Sequence, residues 1–187
     1  MNIYGKKIML RAIERKDHEL ITSMFNSPEI ERLVIGWSFP LSQLAHEKWI
    51  EEHYKDDNLR LIIERLDSHE AVGVAMLTDI DWKNRKASYG MKIADKENRH
   101  QGFGVDTTMA LMRYAFDELQ LNRLDSCCLE DNVLSKKMHM KCGWAEEGIR
   151  RNYIYKQGKY KDLIEFGILA QDYYSLVESN NYWVNTV

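Results

Sequence analysis

Apolar residues recur every three or four positions in several stretches of the chain, a spacing that predicts helices. In the clearest stretch, residues 102–119, the repeating positions are Val105, Met109, Met112, Phe116 and Leu119. A helix gathers residues at this spacing on one face, so the segment is predicted to be an amphipathic helix. Further helices are predicted over residues 17–26, from Ser42 to about residue 54, and over residues 133–142, before Gly143.

Shorter stretches show the composition and alternation typical of strands. They span residues 8–11, 59–66, 71–78, 85–94, 123–129, 152–156 and 160–169. Residues 67–70 and 157–159 are predicted to be the turns of two hairpins. The strands come first as a meander and then alternate with helices. This order predicts an α/β (α+β) domain, a mixed sheet with helices on both faces.

Composition and charge limit the classes of protein that fit. The chain has 187 residues, long enough for a sizeable core, and 44% of them are hydrophobic. A net charge of -3 gives no indication of nucleic-acid binding. No stretch reaches the ~20 apolar residues of a membrane helix, and the first ten residues do not form a signal peptide. We therefore expect a cytoplasmic protein that binds neither nucleic acid nor a membrane.

The three cysteines favour a reducing compartment. Cys127 and Cys128 are adjacent in a predicted strand, where their side chains point to opposite faces and are poorly placed to pair. The chain has no Cys-x-x-Cys motif and no Cys/His spacing of a zinc site, so we expect no metal.

The most informative stretch lies between a predicted strand and the predicted helix over residues 102–119, and reads Arg99-His100-Gln101-Gly102-Phe103-Gly104. Glycine lacks a Cβ, so the backbone here can approach a bulky anion closely. Amide groups at a helix start, with the positive end of the helix dipole behind them, form a site for a pyrophosphate. A sharp strand-to-helix turn also selects glycine, and Arg99 raises the weight of the phosphate interpretation.

Three landmarks together resemble the GNAT acetyltransferase superfamily. Arg99-x-x-Gly102-x-Gly104 is similar to its acetyl-CoA signature. A second landmark of the family is matched by Asn132, Ser135, His139, Lys141, Gly143 and Trp144. Gly158-x-x-x-Asp162-x-x-x-Phe166 resembles the hairpin of the branch that contains ribosomal-protein N-terminal and spermidine acetyltransferases. The agreement runs over about residues 8–169, and implies a GNAT-like, mostly antiparallel twisted sheet.

The resemblance also implies acetyl-CoA as cosubstrate and assigns residues to it. The strand before the signature would offer backbone groups to the pantetheine arm at Met91, Lys92 and Ile93. Backbone amides of Gln101, Gly102, Phe103 and Gly104 would hold the pyrophosphate, with Arg99 supplying charge near the phosphates. Asn132 would hydrogen-bond the pantetheine, and Lys137 or Lys141 would face the adenosine phosphates. Taken alone, either lysine fits a solvated helix face better.

The chemistry implied is direct transfer of an acetyl group from sulfur to an amine. The amine must lose a proton to attack, so a carboxylate or an ordered water has to accept it. Asp79, at the end of a predicted strand, is the candidate for this base or for a substrate contact. The family usually places a tyrosine beside the departing thiolate, and this chain has His139 there. His139 either takes the role of acid or is a partly buried helix residue without that role.

Several alternatives stay open at this point. The acceptor is a small-molecule amine, such as a polyamine or an amino sugar, or a peptide N-terminus. Trp37, Phe39 and Trp49 fall where the family places its acceptor pocket, and we expect pocket and core residues among them. A non-catalytic acyl-CoA-binding module, or a regulatory protein on the same fold, is the alternative function. The aromatic tail, residues 171–187, is expected to pack on the single domain of residues 1–170 or on a second subunit of a homodimer.

Overall fold

The computed structural model describes residues 1–36, 39–42, 44–45, 47–48, 58–94, 98 and 101–184. The strands are β1 (Ile3–Tyr4), β2 (Ile8–Ala12), β3 (Leu59–Arg65), β4 (Ala71–Asp81), β5 (Lys86–Ile93), β6 (Arg123–Leu129), β7 (Ala145–Lys156) and β8 (Lys159–Leu169). The helices are α1 (His18–Phe25), α2 (Pro28–Leu33), α3 (Phe103–Arg113), α4 (Val133–Lys141) and α5 (Ala170–Asn180). A 3₁₀ turn, Arg15–Asp17, precedes α1, and a π-helical turn, Tyr114–Glu118, extends α3.

The strands described above form one eight-stranded sheet, in the order β1-β2-β3-β4-β5-β6-β8-β7. Neighbouring strands pair antiparallel, except that β5 and β6 are parallel. The parallel pairing covers Lys86 to Ser88 against Arg123 to Asp125, and the register continues no further. The predicted fold class, a mixed and mostly antiparallel sheet, is confirmed.

Helices cover both faces of this sheet. Met91 on β5 reaches toward α3, since a Cβ placed on Gly104 would lie 3.2 Å from Met91 Cε. The next residue, Lys92, points the other way, and its Nζ lies 5.1 Å from the centre of the Phe25 ring at the end of α1. Successive side chains of a strand alternate between the two faces, so α1 and α3 lie on opposite sides of β5.

The start of α3 is fixed by a buried carboxylate. Asp106 is 3% exposed and accepts hydrogen bonds from the backbone amides of Lys6 at 2.9 Å, Lys7 at 2.7 Å and Ile8 at 3.1 Å. Hydrogen bonds to a charged acceptor are the stronger kind, and here they hold the β1–β2 turn against the first turns of α3. The N-terminal segment therefore lies beside the Gly102 loop.

The C-terminal segment is helical over Ala170–Asn180, which the sequence analysis did not predict. Tyr173 of α5 is 2% exposed, and its ring centre lies 5.4 Å from that of Phe116. Trp183 Nε1 donates to Tyr173 Oη at 2.8 Å, and Tyr182 Oη donates to Asp106 Oδ1 at 3.3 Å. In this structure the segment thus packs against α3 and its π-helical extension.

Three further elements differ from the sequence prediction, and the first of them, strand β1, was not predicted. Helix α2 was not predicted, although Pro28 stands at its first position and Ser27 Oγ accepts from the Ile30 amide at 3.4 Å. Strand β7 begins at Ala145 rather than at residue 152, and most of its residues are exposed. The predicted helix after Ser42 lies mostly outside the described residues, though Ser42 Oγ accepts from the Ala45 amide at 3.2 Å as an N-cap would.

Candidate active site

A cavity of about 560 Å³ lies where β5 and β6 diverge. Its described walls come from β5, β6, α2, the start of α3 and the whole length of α4. Because the β5–β6 pairing ends at Ser88 and Asp125, backbone groups of β5 beyond that point have no β6 partner in the ladder. Met91, Lys92 and Ile93, the predicted pantetheine contacts, all line this cavity.

The start of α3 forms one wall of the cavity. Gly102 has a φ of +88°, a left-handed conformation that favours glycine, and both Gly102 and Gly104 line the cavity. The amide groups in the first turn of a helix have no partner within it, so they are available to an anion. The Phe103 side chain is 5% exposed and belongs to the core, and neither Phe103 nor Gln101 is among the described lining residues. Arg99 and His100 lie outside the described residues.

Lys7 brings a positive charge to this loop that the sequence analysis did not assign. Its Nζ donates to the backbone carbonyl of Gln101 at 3.0 Å and would lie 3.6 Å from a Cβ on Gly102. Lys7 is 94 positions from Gln101 along the chain, so no local pattern could have indicated the contact. The ammonium group adds to the positive potential at the proposed phosphate position.

Asn132 joins two elements at the cavity wall. Its Oδ1 accepts from the Ser135 amide at 3.1 Å and caps α4, and its Nδ2 donates to the Leu33 carbonyl of α2 at 3.1 Å. One further lone pair and one further N–H of the side-chain amide remain for a ligand. Lys137 and Lys141, one turn apart on α4, are exposed and also line the cavity. They place positive charge along its rim.

His139 lies on the inner wall, enclosed by aromatic rings, and is 2% exposed. Its ring stacks on Phe166 with centroids 4.6 Å apart and meets the Trp144 ring at right angles at 5.1 Å. Nδ1 lies 2.8 Å from the backbone carbonyl oxygen of Ser135, and Nε2 lies 2.9 Å from Ser126 Oγ. A carbonyl oxygen accepts only, so Nδ1 carries a proton. Burial lowers the pKa of His139, and the hydrogen bond to Ser135 offsets part of that shift.

We expect His139 to be neutral at pH 7, protonated on Nδ1 and unprotonated on Nε2. Its folded-state pKa lies below the ordinary ~6.5, so the unfolded chain takes up the proton first and stability falls as pH drops below ~6.5. Long-range ¹H–¹⁵N correlation spectra report both the tautomer and the titration, and His139→Gln identifies the signals by their loss. An imidazolium at pH 7, or a proton on Nε2, would contradict the expectation.

Asp79, the candidate base, is not among the cavity residues. It follows Thr78, which pairs with Ser88, whereas the described lining of β5 starts at Tyr89. Asp79 is exposed, and its amide donates to Asn58 Oδ1 at 2.9 Å. Asp81 accepts two hydrogen bonds from Asn84, as an aspartate that caps a turn does.

Other reactive groups near the cavity are held neutral. Tyr89 is 6% exposed, its Oη bonds Thr108 Oγ1 at 2.7 Å, and burial raises its pKa. Burial raises the pKa of Cys128 to about 11 and that of Cys142 to about 12, so both remain thiols at neutral pH. Within the described ranges, no group of three His, Cys, Asp or Glu side chains is arranged to hold a metal ion.

The structure describes one of the three aromatic residues expected around the acceptor pocket. Phe39 is 69% exposed, so it is neither core nor enclosed pocket lining, while Trp37 and Trp49 lie outside the described residues. Among the helices that the structure describes, none is long and apolar enough to cross a membrane.

Comparison with known proteins places the chain in a family. The model of the acetyltransferase (GNAT) domain matches residues 7–145, which include the signature, the Asn132 landmark and His139. The splayed β5–β6 pair and the glycine-containing helix start lie within this match. The chain therefore belongs to the GNAT acetyltransferase family, and it is an acyltransferase of the N-acetyltransferase type.

Individual relatives match over nearly the whole chain. The Bacillus subtilis (strain 168) protein YdaF, named provisionally as a ribosomal N-acetyltransferase, is 35% identical over 90% of this chain and 94% of its own length. The N-acetyltransferase YokL of the same organism, derived from the SPbeta prophage, is 29% identical over 90% of this chain and 93% of its own. The crystal structure of spermidine N-acetyltransferase from Vibrio cholerae with CoA and spermine shares the fold, with a TM-score of 0.84, 23% identity, and coverage of 91% and 99%.

Proposed function

We propose that this protein transfers the acetyl group of acetyl-CoA directly to a primary amine. The observation that carries the proposal is the cavity between β5 and β6, where a helix start, backbone groups freed by the parting strands and a buried histidine face one space. A relative of known structure, the Vibrio cholerae enzyme, holds CoA on this fold, which supports the assignment of the cavity.

The residues present fit a molecule with one anionic end and one neutral arm. Lys7, Lys137 and Lys141 supply positive charge near the start of α3 and along α4, where phosphate groups would lie. The amides of the first turn of α3 would bind the pyrophosphate, and Arg99 is the further predicted source of charge. The backbone of Met91 to Ile93 and the Asn132 amide would bind the pantetheine arm. When bound, acetyl-CoA supplies the reactive thioester, and the chain's own groups position it beside His139.

The charges of the cavity favour an acceptor with few positive charges. None of its described lining residues is Asp or Glu, whereas Lys92 faces it from β5. Burial lowers the pKa of Lys92, and the charge of nearby Lys156 adds to this effect. A polyamine would bring several ammonium groups to this surface, where the described lining offers no carboxylate to pair with them. Among the candidate acceptors, we therefore place a peptide N-terminus or an amino sugar ahead of a polyamine.

The low basicity of an α-amino group is a second reason to favour a peptide N-terminus as the acceptor. An α-amino group has a pKa of ~7.7–8.0, so much of it is neutral at pH 7.5, whereas an alkylamine near ~10.4 is almost fully charged. With Asp79 outside the cavity lining, an amine that is already neutral needs less help from a base. YdaF, the relative named provisionally for ribosomal acetylation, is consistent with this choice.

An amine panel tests the proposal. We expect the purified protein, given acetyl-CoA, to release CoA with short peptides that have free N-termini, at a kcat/KM about tenfold or more above that for spermidine. Aminoglycosides and amino-sugar nucleotides complete the panel, and mass spectrometry identifies the acetylated product. Peptides blocked by N-terminal formylation serve as the matched control, since they lack the free amine.

The same experiment distinguishes the alternative function from the proposed one. A non-catalytic or regulatory acyl-CoA-binding module would bind acetyl-CoA, as calorimetry would show, and acetylate no member of the panel. Absence of both binding and turnover would reject the proposed use of the cavity altogether. A higher kcat/KM for spermidine than for any peptide would support the acetyltransferase activity but overturn the acceptor assignment.

A further inference from the structure

We propose that Ser126 is a catalytic residue, which passes the proton lost by the attacking amine to His139 and returns it to the leaving sulfur. The inference rests on the proposed acetyl transfer and adds the side chains that move its proton. Ser126 lies on β6 at the point where this strand has parted from β5, and it lines the cavity together with His139. The sequence analysis gave no indication of it, because a lone serine in a strand carries no pattern.

The hydrogen bonds around His139 fix the direction of the Ser126 hydroxyl. Since Nδ1–H donates to the Ser135 carbonyl, the neutral ring offers a lone pair on Nε2, and this atom lies 2.9 Å from Ser126 Oγ. The hydroxyl therefore donates to His139. The Ser126 oxygen keeps lone pairs for an N–H of a ligand in the cavity, and the Tyr89 carbonyl, 3.2 Å away, is a second partner within reach of the hydroxyl.

His139 depends on Ser126 to reach the reactants. One face of the imidazole is covered by Phe166, and the Trp144 and Tyr89 rings stand perpendicular to it at centroid distances of 5.1 and 6.2 Å. Tyr89 is the titratable group facing the ring from β5, and its phenol is bonded to Thr108 rather than to the imidazole. With Nδ1 engaged by Ser135, Nε2 is the ring atom that can exchange a proton, and Ser126 Oγ is its partner.

Ser126 and His139 together account for every proton that moves during the transfer. As the bond from the amine nitrogen to the acetyl carbon forms, the nitrogen gives a proton to Ser126 Oγ, and the serine proton passes to His139 Nε2. As the carbon–sulfur bond breaks, the electron pair goes to sulfur. The imidazolium then returns its proton through Ser126 to the thiolate. Serine and histidine end as they began, and the products are the amide and the free thiol of CoA.

The pair also accounts for a departure from the family pattern. His139 stands where the resemblance places a tyrosine. Because the relay accepts the proton and then returns it, the same two side chains act first as the base and then as the acid. The low basicity of a buried imidazole suits the return step, because its conjugate acid gives up the proton readily.

Steady-state kinetics of Ser126→Ala with the best acceptor of the panel tests the relay. We expect kcat to fall about 100-fold or more, while the Kd of acetyl-CoA changes less than threefold. Ser126→Thr keeps the hydroxyl and should recover a substantial part of the rate. Ser88→Ala, the same change on β5 but outside the cavity lining, serves as the matched control and should stay near the wild-type rate.

A double-mutant cycle separates a relay from two independent roles. His139→Gln alone should lower kcat about as much as Ser126→Ala, and the double variant should be little worse than either, since both break one proton path. Additive losses, or a Ser126→Ala variant within threefold of wild type, would overturn the relay. Acetylation of Ser126, seen as a mass increase of the intact protein with acetyl-CoA alone, would overturn it in favour of a covalent route. If the wild-type protein acetylates no amine of the panel, this result rejects the proposed function itself, and the relay with it.

Discussion

Replacing Gly102 with glutamate is expected to weaken acetyl-CoA binding by about 100-fold or more, which corresponds to ~2.7 kcal/mol. Gly102 precedes α3 with a φ of +88°, which strains any residue that has a Cβ. The new carboxylate would stand beside the amides proposed to bind the pyrophosphate and would repel it. It would also lie next to Lys7 Nζ, 3.6 Å from the new Cβ, and neutralise a charge that we propose for the phosphates. Isothermal titration of acetyl-CoA measures the effect.

Gly158 provides the matched control for this change. It also has a positive φ, +80°, and a Cβ there would meet no atom within 4 Å. It lies in the turn between β7 and β8, and it is absent from the cavity lining. Gly158→Glu therefore imposes a similar backbone strain and the same charge, and should leave the Kd for acetyl-CoA within about threefold. Equal losses in both variants would show that strain or net charge, rather than the helix start, explains the weaker binding.

Arg11→Met is expected to lower the free energy of unfolding by about 3–5 kcal/mol. Arg11 on β2 is 9% exposed and donates from both Nη atoms to Asp17 at 2.7 Å, and its Nε donates to Glu64 on β3. Asp17 and Glu64 are 3% and 5% exposed, so removal of the guanidinium leaves two buried carboxylates without their cation. Urea denaturation at pH 7 measures the loss. Arg150→Met, which breaks a solvent-exposed ion pair with Glu165, should lower the free energy of unfolding far less than Arg11→Met does.

The same network predicts how stability depends on pH. Burial alone would raise the pKa of Asp17 and Glu64, but the hydrogen bonds and charge of Arg11 outweigh it and lower both. A carboxylate with a lowered folded-state pKa stabilises the protein above its ordinary pKa of ~4, and the contribution is lost as pH falls through the folded value. The difference between wild type and Arg11→Met should therefore shrink as the pH is lowered from 7 toward 3. A constant difference across this range would contradict the assignment.

How far the sequence predicts the fold depends on whether a segment's own pattern determines its structure. Helix α3 has a long apolar face with a regular repeat, and the prediction of residues 102–119 agrees with α3 and its π-helical extension. Helix α5 buries Tyr173 through contacts with Phe116 and Trp183, which are distant or irregularly placed in the chain. Strand β7 is largely exposed, so its first half shows no apolar alternation. For these two elements, long-range packing decided the structure.

The same distinction, between local pattern and long-range packing, applies to the residues of the candidate site. Motifs with local spacing identified Gly102, Gly104, Asn132 and His139, and the structure brings all four to one cavity, although their roles remain predictions. Ser126 lines that cavity and bonds His139, and Lys7 bonds Gln101 beside the Gly102 loop. Both contacts are tertiary, so neither residue has a signal in its own segment. Asp79 was chosen as a carboxylate near a strand end, yet it follows Thr78, the partner of Ser88, and the described cavity lining of β5 begins only at Tyr89.

The Asp106 carboxylate has a consequence for how the molecule opens. It accepts hydrogen bonds from the amides of Lys6, Lys7 and Ile8 and from the Tyr182 hydroxyl, so one side chain connects both terminal segments to the helix that begins at the proposed phosphate position. Local unfolding of the first turns of α3 must release these partners together, which makes the three segments one cooperative unit of hydrogen exchange. A ligand that holds the start of α3 will therefore slow amide exchange at both ends of the chain, including the C-terminal segment around Tyr182.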